Sequence, residues 1–421
     1  MSRHRSGEAL VFGAATVLAL VHALDDAFLH RGPGLGLGQH AMAGAIAIAA
    51  AVAGVLLFPR QRPGLRAGLA FAFGGLALVN GMLHMFHIQK HGAAGGDLTG
   101  ALAVAAGLVL LGLAAAIPWR HRGEGSWKSR SLAAPLGLLT CVFVLGPVAL
   151  GIVATHKWRE PVGDPPSAVY RDVTFKASDG LELAGWYRPS ENGAAVVVVH
   201  GGSSDRKGSV AHASMLARHG YGVLLYDARG RGESDGMENN YGWDWGKDIA
   251  GALDFVKHQD DVDPARIGAV GLSTGADVML EVAAERDDVK ALVADGAAAG
   301  SFQDWHHLRG LEIGTLPGWM MFTTVRVLSG DPPGPPLEDV MPRIDAPTLL
   351  ISAGEDVEQE FNEIYDQAAR GPVEHWSLPD AQHTQAIRSH AGEYERRVVG
   401  HFDAALAPPE PVSRRLSSTR R

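Results

Sequence analysis

The sequence predicts two architectures in one chain: an all-α transmembrane domain of about five helices, then an α/β domain with a mostly parallel sheet and helices on both faces. Three observations carry this. Apolar stretches near the ~20 residues needed to cross a bilayer recur through residues 1–158. Charged residues concentrate after Glu160, and from residue 169 short β-branched runs alternate with helical patterns. At 421 residues the chain is long enough for both units. Its net charge of −9, without a dense basic patch in the folded part, gives no sign of a nucleic-acid partner, and none is expected. Cys141 is the only cysteine, so the chain forms no internal disulfide.

The five apolar stretches are 8–29, 41–58, 67–88, 98–117 and 132–154. AMAGAIAIAAAVAGVLLF (41–58) has no polar stripe, which separates it from a buried helix of a soluble bundle. The first stretch runs on into Asp25 and Asp26 and four more follow, which sets it apart from a cleaved signal peptide. Counting Lys and Arg in the connections gives nine on the side of Arg3 and Arg5 and four on the other. That asymmetry predicts a cytoplasmic N-terminus and, with an odd number of spans, an extracytoplasmic second half.

Ionisable residues inside a membrane segment are expensive and ask for a reason. The first span ends HALDDAFLH, which holds His22, Asp25, Asp26 and His30. The third ends NGMLHMFHIQKH, placing His84, His87 and His91 on one helix side, and His40 opens the second. Under the predicted topology these groups meet at one membrane surface. Imidazole and carboxylate suit zinc, iron or copper, so a metal site or a proton relay is one expectation. Interfacial residues wetted by headgroups are the other, and no tight motif such as H-E-x-x-H decides between them.

Residues 159–168, with Asp164-Pro-Pro-Ser167, read as a linker to a domain over 169–406. VYRDVTF (169–175) and LELAGWY (181–187) form a hairpin through Asp179-Gly180, the only antiparallel addition expected. Strands follow at 194–199, 222–227, 266–270, 289–295, 348–353 and 373–378. Helices are expected near 207–219, 244–259, 274–286, 357–369 and 391–405, with an insert over 297–345 and a disordered tail over 407–421.

Between the strand at 266–270 and the next helix stands Gly271-Leu-Ser273-Thr274-Gly275. G-x-S-x-G at a strand-to-helix turn is a nucleophile elbow: Gly271 and Gly275 permit the tight turn, and Ser273 is lifted above the sheet edge. A serine hydroxyl needs a base. His383, in LPDAQHTQAI after the last strand, is the candidate, with His375 and His390 as structural rivals. The imidazole needs an orienting carboxylate, and Asp356 gives the chain order Ser, Asp, His. Glu355 and Asp295 are the alternatives. Oxyanion donors are expected from the amides of Thr274 and of Gly202 in VVVVHGGSSD.

Together these segments resemble the α/β-hydrolase superfamily, in its esterase, thioesterase and peptidase-like members with a short insert. The resemblance covers roughly 169–405 and rests on VTFKASDGLELAGWYRPS, VVVVHGGSS, YGVLLYDARGRGESDG, RIGAVGLSTGADV, VKALVADGA, APTLLISAGEDVE and DAQHT in that order. It implies an eight-stranded sheet, a Ser-Asp-His triad and no cofactor for this domain. Two departures from the family pattern stand out. Gly354-Glu355-Asp356 is one residue shorter than the usual G-x-x-D, and Gln382 stands where a glycine often precedes the histidine. Ser234, in the ARGRGESDG loop, lies on no elbow and is not expected to be a second nucleophile.

The insert is rich in apolar and aromatic residues, among them Trp305, Trp319, Met320 and Phe322, which read as a substrate-pocket lining or as a small satellite core. The sequence thus predicts a membrane-bound serine hydrolase acting on ester, thioester or amide bonds of a small-molecule or lipid-like acyl substrate. An acyltransferase using the same acyl-enzyme, and a non-catalytic membrane sensor built on the histidine cluster, are the alternatives.

Overall fold

A computed structural model describes residues 3–30, 33–121, 137, 139–156, 159–310, 312–354 and 357–408. The regular structure described in the N-terminal part is helical: α1 (Arg3–Leu24), α2 (Ala41–Leu57), α3 (Pro63–His91), α4 (Asp97–Arg120) and α5 (Gly146–Thr155). A π-turn at Asp25–Leu29 continues α1, and another at Cys141–Leu145 leads into α5. Four helices, Arg5–Leu29, Ala41–Arg60, Pro63–Lys90 and Asp97–Arg120, are long and apolar enough to cross a membrane. The stretch Cys141–Thr155 is a shorter apolar helix, and residues 132–136 of the fifth predicted span lie outside the described residues. Leu10, Val17, Ile46, Val52, Leu108 and Leu150 point outward from these helices, as a lipid-facing belt requires.

Glycine explains how closely α3 and α4 approach. A Cβ at Gly81 would stand 2.6 Å from Gly100 O, and one at Gly107 would stand 2.9 Å from Gly74 O. Small residues at facing positions let two membrane helices touch backbone to backbone. At one end of the bundle Arg66 and Glu8 form a fully buried ion pair at 2.5 Å. At the other end the histidines and aspartates of α1, α3 and α4 gather.

The second part is an eight-stranded sheet in the order β1-β2-β4-β3-β5-β6-β7-β8. Its strands are β1 (Arg171–Lys176), β2 (Glu182–Arg188), β3 (Ala195–Val199), β4 (Gly222–Tyr226), β5 (Ile267–Leu272), β6 (Ala291–Asp295), β7 (Thr348–Ala353) and β8 (Val373–Leu378). β1 and β2 pair antiparallel, as do β2 and β4; every later pairing is parallel. Strands β3 to β7 are buried along their whole length, which is why they read as unbroken apolar runs. Helices cover both faces, each over its own core cluster. In the loop after β4, Ser234 Oγ donates to Asp227 O at 2.5 Å and accepts from Ala184 N at 2.9 Å. Ser234 is therefore a structural pin.

The two parts meet at a defined junction. Asn240 N donates to Ala154 O at 3.0 Å, Gly236 N to Pro33 O at 2.9 Å, and Arg159 Nη2 to Gly236 O at 2.8 Å. The insert forms helices Phe302–Arg309, Leu316–Ser329 and Leu337–Val340. Helix Leu316–Ser329 lies against α5 so tightly that a Cβ at Gly151 would stand 2.7 Å from Thr324 Cβ.

Candidate active site

β5 ends at Leu272, and the helix Thr274–Ala283 begins two residues later. Ser273 between them sits at φ 53°, ψ −124°, where a side chain costs of order 1–3 kcal/mol. The flanking glycines make the turn passable. A Cβ at Gly271 would meet Gly275 O at 2.4 Å, and one at Gly275 would meet the Val199 and His200 carbonyl oxygens at 2.6 Å. The Ser273 amide donates to Asp295 O at 2.8 Å, which fixes the elbow to β6.

Ser273 Oγ and His383 Nε2 lie 2.9 Å apart. On the other side of the ring, Nδ1 meets Glu358 Oε2 at 2.5 Å. Glu358 stands in the first turn of helix Val357–Ala368, and its Oε1 accepts the Ala353 amide at 2.7 Å. The bond to the Glu358 carboxylate raises the His383 pKa above the usual histidine range against the effect of burial, with the charges of Asp295 and Asp277 adding to it. Gly296 leaves space for the ring: a Cβ there would stand 2.8 Å from His383 Cε1.

Glu358 was not among the carboxylates predicted. Asp356 and Glu355 lie outside the described residues. Asp295 has a different role: its Oδ2 accepts from Tyr394 OH at 2.8 Å, and burial pushes its carboxyl up to about 7. The family spacing puts the acid three residues after the glycine, whereas Asp356 follows Gly354 by two and Glu358 by four, so spacing favours neither. The rival histidines are held elsewhere, His375 on Ser352 Oγ at 2.7 Å and His390 on Asp380 at 3.3 Å.

The turn after β3 abuts the elbow, since a Cβ at Gly201 would lie 3.2 Å from Ser273 Cβ. Gly202 leaves no room for a side chain, as its Cβ would fall 2.0 Å from Asn240 O. Arg231 donates to both Gly202 O and Asn240 Oδ1, and Thr274 Oγ1 donates to Asn240 O at 2.9 Å. Thr274 opens its helix, where first-turn amides have no intrahelical acceptor. Asn240 and Arg231 thus tie the turn after β3 to the start of that helix, contacts that the sequence reading did not include.

The four insert residues take separate places. Phe322 is buried with Trp243, Val325 and Ala154 of α5 in a satellite core, with its ring 4.7 Å from Tyr241. Trp305 packs edge-on to Phe361 at 5.6 Å, Met320 is half-buried, and Trp319 is 47% exposed. None of these contacts involves Ser273.

In the membrane part, His84 Nδ1 meets Asp97 Oδ1 at 3.1 Å and His84 Nε2 meets Asp26 Oδ1 at 3.2 Å. His22 Nδ1 lies 3.2 Å from Thr99 Oγ1, which donates to Asp25 Oδ2 at 2.6 Å. His30 pairs with Asp25 at 3.0 Å and His87 with Asp97 at 3.1 Å. The side chain of His91 lies outside the described ones. Asp97 went unread because the fourth stretch was taken to start at 98, and Thr99 because only the histidines and aspartates of the spans were considered.

The second part of the chain matches known proteins. The family model for X-Pro dipeptidyl-peptidase (S15 family) matches residues 169–339. An uncharacterised protein of Mycobacterium tuberculosis is 30% identical over 270 residues, covering 58% of this chain and 88% of its own length. A thiohydrolase of Aspergillus aculeatus is 32% identical over 136 residues, covering 31% of this chain and 42% of its own. A solved esterase of Pyrococcus furiosus, 24% identical, covers 60% of this chain and 100% of its own, with a TM-score of 0.48. With its eight-stranded sheet order, its elbow after β5 and its family match, the chain belongs to the α/β-hydrolase superfamily.

Proposed function

We propose that this chain is a membrane-anchored serine hydrolase that cleaves acyl bonds through an acyl-enzyme. The observation that carries the reading is the continuous line from Ser273 Oγ through His383 to Glu358. In this mechanism His383 Nε2 takes the hydroxyl proton as Ser273 Oγ adds to the carbonyl carbon. The amides of Thr274 and Gly202 receive the oxyanion, and Glu358 holds the imidazolium in place. His383 then delivers its proton to the leaving alcohol, thiol or amine, and water repeats the sequence on the acyl-enzyme. An alcohol or amine in place of water gives acyl transfer, which product analysis distinguishes.

Placement supports a lipid-like acyl ester or thioester. The insert helix Leu316–Ser329 lies against α5, and Ile313, Leu316 and Trp319 stand exposed on the insert at 77%, 43% and 47%. The thiohydrolase relative is consistent with thioesters. The Lys and Arg asymmetry supports an extracytoplasmic site.

A membrane-impermeant fluorophosphonate tests both mechanism and orientation. Intact cells should be labelled, and Ser273→Ala should remove the label. Turnover of a p-nitrophenyl ester should fall by about 10⁴-fold or more in Ser273→Ala and His383→Ala. Labelling only after lysis reverses the orientation and keeps the nucleophile. Full turnover in either purified variant sinks the mechanism.

A further inference from the structure

The cluster where α1, α3 and α4 meet contains three carboxylates, Asp25, Asp26 and Asp97, and no Lys or Arg pairs with any of them among the described residues. Their partners are histidines. The aspartates Asp25 and Asp97 are 5% and 2% exposed, and His22 and His84 are 1% and 4% exposed. Uncompensated negative charge at that burial is strongly unfavourable, so a positive charge belongs there.

Hydrogen bonding fixes which ring nitrogens face inward. A carboxylate only accepts, so His84 Nδ1 donates to Asp97. Thr99 spends its one hydroxyl proton on acceptors, Asp25 Oδ2 at 2.6 Å or Gly96 O at 2.9 Å. Its oxygen therefore accepts from His22 Nδ1 at 3.2 Å. In both neutral rings the remaining nitrogen, Nε2, then carries a lone pair. Both Nε2 atoms face the Asp26 carboxylate, His84 at 3.3 Å and His22 at 3.6 Å from the same oxygen, Oδ2. His22 Nε2 is buried and has no hydrogen-bond partner. With both rings neutral, the two Nε2 nitrogens and the Asp26 carboxylate are three acceptors turned toward one another; without an ion, His84 Nε2 takes a second proton and donates to Asp26.

From this geometry we propose that His22 Nε2, His84 Nε2 and an Asp26 carboxylate oxygen bind one divalent metal ion of the zinc class. One ligand atom from each of the three residues falls within 4.8 Å of the others. A tetrahedron with bonds of about 2.0–2.1 Å has edges of about 3.4 Å, close to the 3.3 and 3.6 Å that separate Asp26 Oδ2 from His84 Nε2 and His22 Nε2. A single proton on His84 satisfies Asp26 but leaves the buried His22 Nε2 without a partner, whereas one ion engages all three groups. Asp97 behind His84, and Thr99–Asp25 behind His22, are the outer partners that orient metal-binding imidazoles. Two histidines and a carboxylate leave a fourth position for water or for another ligand. His156, just past α5, is near enough to interact electrostatically with Asp26 and His84.

The test uses the full chain purified in detergent, stripped with a chelator and titrated with cobalt(II). One equivalent should bind with the visible absorption of four-coordinate cobalt, and zinc should displace it. Asp26→Asn and His22→Ala should abolish that band. Asp97→Asn, which leaves all three ligands in place, should weaken binding by about 10–100-fold and keeps the test informative where a ligand variant fails to fold. Absence of stoichiometric cobalt or zinc binding by the folded wild type overturns the proposal. So does a cobalt band that Asp26→Asn, His22→Ala and Asp97→Asn leave unchanged.

Discussion

The carboxylate that meets His383 comes from the first turn of helix Val357–Ala368 rather than from the loop before it. A helix N-terminus is favourable for an anion, and the Ala353 amide takes Oε1, which leaves Oε2 for the imidazole. Sequence order announced that an acid would follow β7, but Glu355, Asp356 and Glu358 crowd four residues. Which arm reaches the ring depends on where the helix starts and on the Ala353 contact, and spacing carries neither. A pH profile separates the candidates. Because the Glu358 carboxylate favours the imidazolium, the His383 pKa lies above the usual range. A general base acts in its neutral form, so kcat/KM should rise with pH through that raised value and level off above it. In Glu358→Gln the imidazolium loses its charged partner, so the acid limb should move to lower pH and the plateau should fall on the order of 10³-fold. A merely structural glutamate would lower stability without moving that limb. If Asp356→Asn moves it instead, the role belongs to Asp356.

At the scale of elements, the elbow shows why parts of this fold were legible. β5 is apolar along its length because both faces are covered, and the two glycines mark a turn that admits no side chain. The strand Val373–Leu378 and the helix Ala391–Ala405 were read to the residue, since alternation and amphipathic spacing leave a local trace. The π-turns at Asp25–Leu29 and Cys141–Leu145 left none, because an extra residue in a helical turn does not change composition. Nor did the insert announce its helices as neighbours of α5, a packing relation between distant segments. The glycines give a direct check. Gly271→Ala drives a Cβ to 2.4 Å from Gly275 O and 2.5 Å from Ala276 Cα, both in the elbow itself. It should cost about 1–3 kcal/mol and slow fluorophosphonate labelling of Ser273 by tenfold or more. Gly400→Ala, in the last helix with nothing within 4 Å, should instead stabilise by about 0.5–1 kcal/mol. Equal effects in thermal unfolding and labelling for the two variants would contradict the assigned role of Gly271.

For the whole molecule, the junction between membrane helices and hydrolase is the feature that neither half explains alone. The end of α5 is two hydrogen bonds from the elbow: Ala154 O accepts the Asn240 amide, and Asn240 O accepts Thr274 Oγ1. Arg231 ties the Asn240 side chain to Gly202, so the proposed oxyanion donors rest on the same strut. Beside it, helix Leu316–Ser329 touches α5 at Gly151, where only a missing side chain allows the approach. A hydrolase merely tethered by a flexible linker would have no use for such contact. If the insert helix instead presents bilayer substrates to Ser273, moving it off α5 should matter for those substrates alone. Gly151→Leu places a Cβ 2.7 Å from Thr324 Cβ and 3.1 Å from Met321 O, which forces the two helices apart. The variant should hydrolyse a soluble short-chain ester at close to the wild-type rate, because the Ser273–His383–Glu358 line includes no residue of either helix. Its rate on a long-chain ester presented in vesicles should drop by tenfold or more. Equal losses on both substrates would mean that α5 supports the elbow itself, through Ala154 and Asn240, rather than substrate entry. Unchanged rates on both would leave the contact without a catalytic role.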